Sequence, residues 1–269
     1  MTQLLTLKKL DIGYDKKIVN NIDLNVDEKE LICFLSPNNG GKTTLIKTLA
    51  GIILPKDGTI SYEDKELTKS YFKKYIRKVG VVLEDINNNY ICEKVDDELK
   101  FPLIHLSYPY YEVQKRVKEV AKVLDIENIL TKKINDITVL QKAKLSIGVA
   151  IMHKPKVLFV DDIFKSLNAK DKEIVMDILK LLIINYDMSV IFTTSDLNDC
   201  IGLNNIYVMG NNKIILHGTY DDIVKNDNEL SKVGIEIPIM IDLSRKLQFY
   251  NLIDNIYYDV DKVVNALWK

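Results

Sequence analysis

The sequence predicts an α/β fold with a helical subdomain and a small α-rich domain near its C-terminus. Its 269 residues, of which 47% are hydrophobic, are enough to bury a substantial core. Apolar runs of strand length alternate along the chain with amphipathic helical patterns, as a parallel sheet covered by helices requires. Beyond Gly218 the strand pattern fades, and residues 235–268 are predicted to form short helices and turns.

Four apolar runs are predicted to be the buried central strands of the sheet. They lie at residues 31–35, 79–83, 157–160 and 190–193. An amphipathic helix is predicted over residues 111–124, because Val113, Val117 and Val120 fall on one helical face. A second helix is predicted to begin after Asn168 and to end near residue 184.

Composition excludes several classes of function. Lys and Arg number 37 against 38 Asp and Glu, so the balanced charge gives no reason to expect nucleic acid as the main partner. No apolar run approaches the ~20 residues that span a bilayer, and the N-terminus lacks a signal-peptide pattern. Cys33, Cys92 and Cys200 have neither disulfide-framework nor metal-ligand spacing, so we expect small buried side chains in a reducing cytoplasm.

The segment after the first predicted strand has the composition of a phosphate-binding loop. It reads Ser36-Pro37-Asn38-Asn39-Gly40-Gly41-Lys42-Thr43-Thr44. Triphosphate binding needs backbone N–H groups at a helix N-terminus, a lysine for the outer phosphates and a hydroxyl for Mg²⁺. Gly40, Gly41, Lys42 and Thr43 meet these needs, which indicates a Walker A loop with substitutions. An ordinary turn before a helix is the alternative interpretation.

The order of motifs along the chain resembles that of ATP-binding cassette (ABC) ATPases. The resemblance implies an ABC-type P-loop NTPase domain in which residues 37–44 bind the phosphates of ATP. It also implies that Tyr14 stacks on adenine, although a strand aromatic packed in a sheet is an equally good interpretation. Ser36 and Asn39 stand where the ABC loop usually has Gly, and Asn tolerates a positive φ better than other non-glycine residues.

Residues 157–162 look like the Walker B strand of the same family, which ends in an acid. By resemblance, Asp161 would hold Mg²⁺ through water, together with the hydroxyl of Thr43 and the side chain of Glu84. An acidic helix N-cap is the alternative interpretation of Asp161.

Finer matches resemble the ATPases of energy-coupling factor (ECF) importers. Asn87-Asn88-Asn89 and residues 95–101 resemble the acidic segment after the Q-loop of those proteins. Residues 230–238 and 263–268 resemble their C-terminal domain, which pairs two ATPase subunits. The implied organisation is a nucleotide-binding domain over 1–225, a helical subdomain within it at about 88–150, and a C-terminal dimerisation domain over 226–269.

The resemblance also implies partners. These are a second ECF-type ATPase subunit, with a heterodimer favoured, a transmembrane coupling subunit and a separate substrate-binding membrane protein. The chain would then lie peripherally at the cytoplasmic face of the cell membrane. In this family the coupling subunit places Arg-bearing helices beside the Q-loop, and Asp96, Asp97 and Glu98 could accept them. A solvated acidic helix face is an equally good interpretation of these three residues.

Several residues that hydrolyse ATP in the family are altered in this chain. Glu84 replaces the Q-loop Gln, Asp162 replaces the Glu after Walker B, and Ser195 aligns with the switch His. These three positions are the candidate catalytic residues, all of them non-consensus. For Glu84 and Ser195, an ordinary polar residue at a strand end is at least as good an interpretation.

The signature motif, usually Leu-Ser-Gly-Gly-Gln, is also altered, and it would act on the nucleotide of a partner subunit. The chain has Thr138, Val139, Leu140 and Gln141 at its last four positions. Bulky Val139 is expected to obstruct the close approach of backbone N–H groups to a phosphate. Asn168 likewise replaces the D-loop Asp.

Two hypotheses follow for function. The first is an ATP-binding subunit of an ECF importer that couples ATP binding and hydrolysis, with Mg²⁺, to uptake of a vitamin or metal ion. The second is a non-hydrolysing nucleotide-binding partner with a structural or regulatory role in a heterodimeric ATPase pair. Loss of a general base costs about 10²- to 10⁴-fold in rate, so impaired hydrolysis with retained binding is expected in either case.

Overall fold

A computed structural model describes residues 3–87, 90–258 and 260–268, so Asn88 and Asn89 of the segment matched to the Q-loop region lie outside the described residues. The strands are β1 (Gln3–Gly13), β2 (Lys17–Asp27), β3 (Leu31–Leu35), β4 (Asp57–Tyr62), β5 (Lys65–Glu66), β6 (Val79–Val82), β7 (Val157–Val160), β8 (Ser189–Thr194), β9 (Ile206–Gly210) and β10 (Lys213–Gly218). The helices are α1 (Lys42–Leu49), α2 (Lys69–Tyr75), α3 (Val95–His105), α4 (Tyr110–Val123), α5 (Val139–Ile151), α6 (Ala169–Tyr186), α7 (Tyr220–Lys225), α8 (Asp227–Lys232), α9 (Ile239–Phe249) and α10 (Val260–Leu267).

The larger sheet has the strand order β10-β9-β3-β8-β7-β6. Its strands are parallel except for β10, which pairs antiparallel with β9. Leu35 at the end of β3 pairs with Thr194, and Val160 at the end of β7 pairs with Phe192. The carboxyl ends of β3, β7 and β8 therefore meet at one edge, which is where open α/β sheets bind ligands.

Both faces of the larger sheet are covered, which explains its uninterrupted apolar strands. Ile32 and Phe34 of β3 pack on one side, in a core shared with α1 and with a smaller antiparallel sheet of order β2-β1-β4-β5. Cys33 and Leu35 point to the other side, into a core built with α3, α4, α5 and α6. α3, α4 and α5 occupy the region in which the sequence predicts a helical subdomain.

The predicted central elements are present, with small differences at their ends. The run at 79–83 ends as a strand at Val82, and the run at 190–193 extends to Ser189–Thr194. α4 spans Tyr110–Val123, where residues 111–124 were expected. Asn168 caps α6 by accepting a hydrogen bond of 3.0 Å from the backbone N–H of Asp171.

The cysteine prediction is correct for two of the three residues. Cys33 and Cys200 are buried free thiols with their Sγ atoms 3.4 Å apart. Cys92 is only half-buried, because it lies in the irregular segment just before α3 and not in a core element. The expectation of a buried side chain is therefore wrong for Cys92.

The C-terminal segment (residues 226–258 and 260–268) contacts the rest of the chain through Arg245, which donates a hydrogen bond to the carbonyl of Val224. Arg245 of α9 forms an ion pair with Asp227 at 2.9 Å, and Ser244 donates a hydrogen bond of 2.8 Å to the carbonyl of Tyr257. Ile241 belongs to the same buried core as the strands of the larger sheet. The predicted domain boundary near residue 226 stays a prediction. Among the described residues, no helix is long and apolar enough to cross a bilayer.

Candidate functional site

The loop between β3 and α1 presents a helix N-terminus toward open space. Asn39 and Gly41 have φ values of 63° and 96°, and Asn is among the few non-glycine residues that accept such a backbone. No side chain of the described residues caps α1 at Gly41. The first N–H groups of the helix are therefore available to an anion, in the positive part of the helix dipole.

Lys42, the first residue of α1, is held inside the loop by its own backbone. Its Nζ donates hydrogen bonds to the carbonyls of Ser36 at 3.0 Å and of Pro37 at 3.2 Å. It also lies 3.4 Å from Oδ2 of Asp162, and both side chains are almost fully buried. The ammonium group is thus fixed at the base of the loop before any phosphate arrives.

Ser36 and Gly40 occupy complementary space within the loop. The side chain of Ser36 is fully buried, and a Cβ built at position 40 would lie only 2.0 Å from its Oγ. That Oγ has no hydrogen-bond partner among the described residues. Ser36 does not have a positive φ, so this position does not need the glycine that the ABC loop usually carries. The substitution is accommodated because residue 40 lacks a side chain.

The acid at the end of β7 has one carboxylate oxygen free for a cation. Oδ1 of Asp161 accepts a hydrogen bond of 2.9 Å from the hydroxyl of Thr193. Oδ2 is buried without a partner among the described residues. Burial raises the pKa of Asp161 above its ordinary value, which the hydroxyls of Thr43 and Thr193 oppose.

This arrangement fits a magnesium ion that arrives with a phosphate. Within the described residues, no group of three or more His, Cys, Asp or Glu side chains could hold a metal ion by itself. Mg²⁺ commonly keeps several waters and takes one or two protein oxygens plus substrate phosphates. The hydroxyl of Thr43 and the free oxygen of Asp161 are oxygen ligands of that kind.

Asp162 begins a one-turn 3₁₀ helix, Ile163–Ser166, with a left-handed backbone at φ 46°. Its N–H donates a hydrogen bond of 3.0 Å to Thr193 Oγ1, so one hydroxyl fixes both consecutive acids. Burial raises the pKa of Asp162, and the nearby Lys42 opposes this shift. Asp162 is therefore placed as a partner of the loop lysine.

A cavity of about 380 Å³ lies between the phosphate loop and Asp162. It is lined by Ile18, Asn38, Asn39, Gly41, Lys42, Thr43, Thr44, Glu84, Asp162 and Lys165. Glu84 forms an ion pair of 2.6 Å with Lys165, and this bond raises the pKa of Lys165. A second cavity of about 300 Å³ lies against the loop and is lined by Pro37, Gly40, the β9–β10 turn, Lys232 and Val233.

Asp161, Tyr14 and Ser195 are among the predicted site residues that lie outside the described lining of the 380 Å³ cavity. Tyr14 stands between β1 and β2 with half of its surface exposed, and so it is not a packed sheet aromatic. Ser195 follows β8 and is half-buried. The assignment of Tyr14 to adenine and of Ser195 to catalysis stays a prediction.

The altered signature motif forms the capped start of α5. The hydroxyl of Thr138 accepts from the N–H of Gln141 at 3.2 Å, and the side chain of Gln141 accepts from the N–H of Thr138 at 3.0 Å. This reciprocal capping box satisfies donors that would otherwise face outward. Val139 is exposed beside them and Leu140 is partly buried against the core.

The prediction that three acids after the Q-loop accept arginine is wrong for Glu98. Its carboxylate is buried and accepts the backbone N–H groups of Ile91 at 3.0 Å and Cys92 at 2.7 Å. Asp96 forms an ion pair with Lys100 one turn along α3. The fold uses Glu98 to hold the chain that enters α3, and only Asp97 of the three is exposed.

Comparison with known proteins identifies the family. A family model described as ABC transporter matches residues 19–165, more than half of the chain. The chain belongs to the ABC transporter family. This span of the ABC chain begins in β2 and ends at Lys165, so it contains the phosphate loop, Glu84, α5 and both acids after β7.

Relatives of this ABC protein are named energy-coupling factor transporter ATP-binding protein EcfA1. The one from Bacillus subtilis is 26% identical over 271 residues, covering 99% of this chain and 96% of that protein. The one from Mycoplasmoides gallisepticum is 26% identical over 258 residues, covering 92% of each. These names confirm the resemblance to ECF ATPases seen in the sequence.

Two solved structures share the fold. One is cbiO1 from Clostridium perfringens, described as part of the ABC transporter complex cbiONQ. It has a TM-score of 0.78 at 23% identity and covers 88% of this chain and 97% of that chain. The dimeric bacterial ABC transporter cassette MJ0796 has a TM-score of 0.72 at 22% identity, covering 81% and 99%. The predicted ABC-type fold is confirmed.

Sequence reasoning missed two side chains of the ABC site. Thr193 bridges the two acids, and its signal was its position at the end of a predicted central strand. Lys165 lines the cavity, and its signal was a cation three residues after Asp162 in the segment following Walker B.

Proposed function

We propose that this chain is the ATP-binding subunit of an ECF-type ABC importer, coupling ATP binding and hydrolysis to uptake of a vitamin or a metal ion. The observation that carries the proposal is that the uncapped start of α1 and the buried ammonium of Lys42 meet at one cavity. The buried, unpartnered oxygen of Asp161 lies on the residue before Asp162, which lines that cavity. The names of its relatives support the ECF assignment.

Each group has a distinct part in binding. The N–H groups of the loop and of α1 bind phosphate oxygens, and Lys42 neutralises charge on the outer phosphates. Thr43 and Asp161 would hold Mg²⁺, which would supply Lewis-acid stabilisation of negative charge on the phosphates. Asp162 orients Lys42, and its carboxylate lines the cavity, where it could accept a proton from water. Tyr14 provides a stacking surface for adenine.

The partners belong to the same proposal. Large apolar side chains are exposed along the C-terminal segment, among them Ile239, Phe249, Tyr250, Leu252 and Trp268. Such a concentration suits a surface that pairs with a second ATPase subunit, here a different chain. The coupling subunit and the substrate-binding protein would hold the pair at the cytoplasmic face of the membrane.

A second candidate function is a nucleotide-binding partner that does not hydrolyse ATP. The capping box at Thr138 and Gln141 favours it, because it engages two N–H groups at the start of α5 within the chain and leaves fewer donors for a neighbour's phosphate. Asp162 is also engaged by Lys42, and Glu84 by Lys165. Each engagement removes a group that could polarise water.

Binding and turnover measured together test both candidates. Titration with MgATP should show binding to the purified chain, and Lys42→Ala should weaken it by at least about tenfold, the loss of one strong charged contact. Turnover should then be measured for the chain alone and with its partner ATPase. If MgATP binds but is not hydrolysed, either by the chain alone or with its partner ATPase, the proposal of an ATP-hydrolysing importer subunit is rejected and the second candidate is supported. Absence of binding, or indifference to Lys42→Ala, would reject both.

A further inference from the structure

The cavity beside the phosphate loop contains a second ammonium group that no motif of the sequence predicts. Lys165 lines the same 380 Å³ space as Lys42 and Thr43. It reaches that space from the segment that follows β7, whereas Lys42 reaches it from the loop after β3. Two lysines from different strand ends thus border one cavity.

The base of the Lys165 side chain is held firmly. Its backbone N–H donates a hydrogen bond of 3.2 Å to the carbonyl of Asp162, within the one-turn helix Ile163–Ser166. The preceding Phe164 is buried against Phe192 with ring centroids 5.5 Å apart. The ammonium therefore starts from a fixed point and moves only through its flexible four-carbon stem.

The present partner of Lys165 holds it weakly. The side chains of Lys165 and Glu84 are 52% and 42% exposed, and water screens exposed ion pairs strongly. Lys42 is different, because it is buried and already engaged with two carbonyls and Asp162. Of the two ammonium groups, that of Lys165 is the one that can change partners at little cost.

The charges around the cavity favour such an exchange. Among the described residues that line the cavity, the ammonium groups of Lys42 and Lys165 stand against the carboxylates of Glu84 and Asp162. A triphosphate therefore meets a site with no net positive charge while each lysine stays paired with a carboxylate. An ammonium released from Glu84 would add a charge-assisted hydrogen bond to a phosphate oxygen.

We infer that Lys165 is a second phosphate-binding residue, which leaves Glu84 when nucleotide enters and pairs with the outermost phosphate. The inference rests on the proposed function. We assign Lys165 to the outermost phosphate because it lies three residues beyond Asp162, at the end of β7. Asp161, the acid proposed to hold Mg²⁺, lies at the same strand end. The N–H groups at the start of α1 serve the inner phosphates. Glu84 is the resting partner that competes with the phosphate.

Equilibrium titration of the full chain with ATP and with ADP, in EDTA and again in Mg²⁺, tests the inference. Lys165→Met keeps the length of the stem and removes the charge. Lys170→Met is the matched control, because it removes the same charge from an exposed position five residues away, outside the described lining of the cavity. Glu84→Gln removes the competing carboxylate. Thermal unfolding of each variant checks that it is folded.

In EDTA, Lys165→Met should weaken ATP binding about tenfold, the equivalent of one charged contact, and ADP binding by less than about threefold. Lys170→Met should bind both nucleotides as the unmodified chain does. In EDTA, Glu84→Gln should tighten ATP binding, because the competing carboxylate is gone. In Mg²⁺, the same variant should weaken ATP binding only if Glu84 contacts the metal.

The outcomes separate this inference from the proposed function. If the unmodified chain binds ATP and Lys165→Met binds it equally well, Lys165 is a surface charge and the inference is wrong while the function stands. Equal losses for ATP and ADP would overturn the assignment to the outermost phosphate. If the unmodified chain binds no nucleotide and Lys42→Ala changes nothing, the proposed function fails and the inference with it.

Discussion

Replacing Gly40 by alanine should destabilise the protein, because the new methyl group needs space that Ser36 fills. A Cβ at position 40 would lie 2.0 Å from Ser36 Oγ and 3.0 Å from the carbonyl oxygen of Pro37. Ser36 has no exposed surface, so its hydroxyl can move only against packed neighbours. Overpacking of this kind costs about 1–3 kcal/mol. For a chain of this size, that lowers the melting temperature by roughly 2–10 °C.

A double-mutant cycle with Ser36→Ala isolates the contact. Ser36→Ala alone should be nearly neutral or slightly stabilising, because the hydroxyl it removes is buried with no hydrogen-bond partner among the described residues. In that background the nearest side-chain atom to the new methyl is the Cβ of residue 36, at 3.3 Å. Gly40→Ala should therefore cost at least about 1 kcal/mol less there than in the unmodified chain.

Urea and thermal unfolding of the four proteins give the coupling free energy directly. Titration with ATP adds a second measurement, because strain in this loop should also weaken phosphate binding. An equal cost of Gly40→Ala with and without Ser36→Ala would show that the Ser36 hydroxyl is not the obstacle. The reasoning about complementary space within the loop would then be refuted.

Three further predictions concern the acids, the aromatic residue and the altered catalytic positions. Tyr14→Ala should weaken ATP binding by about 5- to 160-fold, since stacking on a base contributes about 1–3 kcal/mol. Inorganic tripolyphosphate should bind both proteins equally, and an unchanged affinity for ATP would contradict a stacking role for Tyr14. Asp161→Asn should raise the free energy of unfolding of the nucleotide-free protein at pH 7, because burial raises the pKa of Asp161 and its ionised form is costly in the folded state. This gain in stability should shrink as the pH falls through the raised pKa of Asp161, and it should be absent below the ordinary value of 3.8. Urea unfolding at several pH values measures it, and a gain in stability that does not change with pH would refute the reasoning. Asp162→Glu combined with Ser195→His should raise MgATP turnover with the partner ATPase by about 10²-fold or more, and an unchanged rate would show that these positions are not limiting.

The elements that sequence alone predicted are those whose signals are local. The strand at Val157–Val160 is apolar at every position because both of its faces are buried. β1 is harder to predict, because its alternation is interrupted where Lys9 has φ 46° and the pairing with β2 shifts register. β2 pairs with β1 across a short turn, but the pairing of β1 with β4 is long-range and no local pattern shows it.

The same limit applies to the site. The phosphate loop was predictable because its residues are consecutive. The ion pair of Glu84 with Lys165 joins residues 81 positions apart and depends on the parallel alignment of β6 and β7. Glu98 shows the opposite error, since its acidic neighbours suggested a binding surface while the fold needed a buried acceptor for two N–H groups.

The 300 Å³ cavity gives the phosphate loop and the C-terminal segment a common wall. Pro37 and Gly40 form one side of it, and Lys232 and Val233, at the end of α8, form another. Val233 also packs so closely on Gly210 that a Cβ there would lie 2.4 Å from it. A subunit that binds the C-terminal segment and shifts the end of α8 would therefore also change the cavity wall formed by the phosphate loop. Assembly and nucleotide affinity should change together in this protein, without any contact between the partner and the loop.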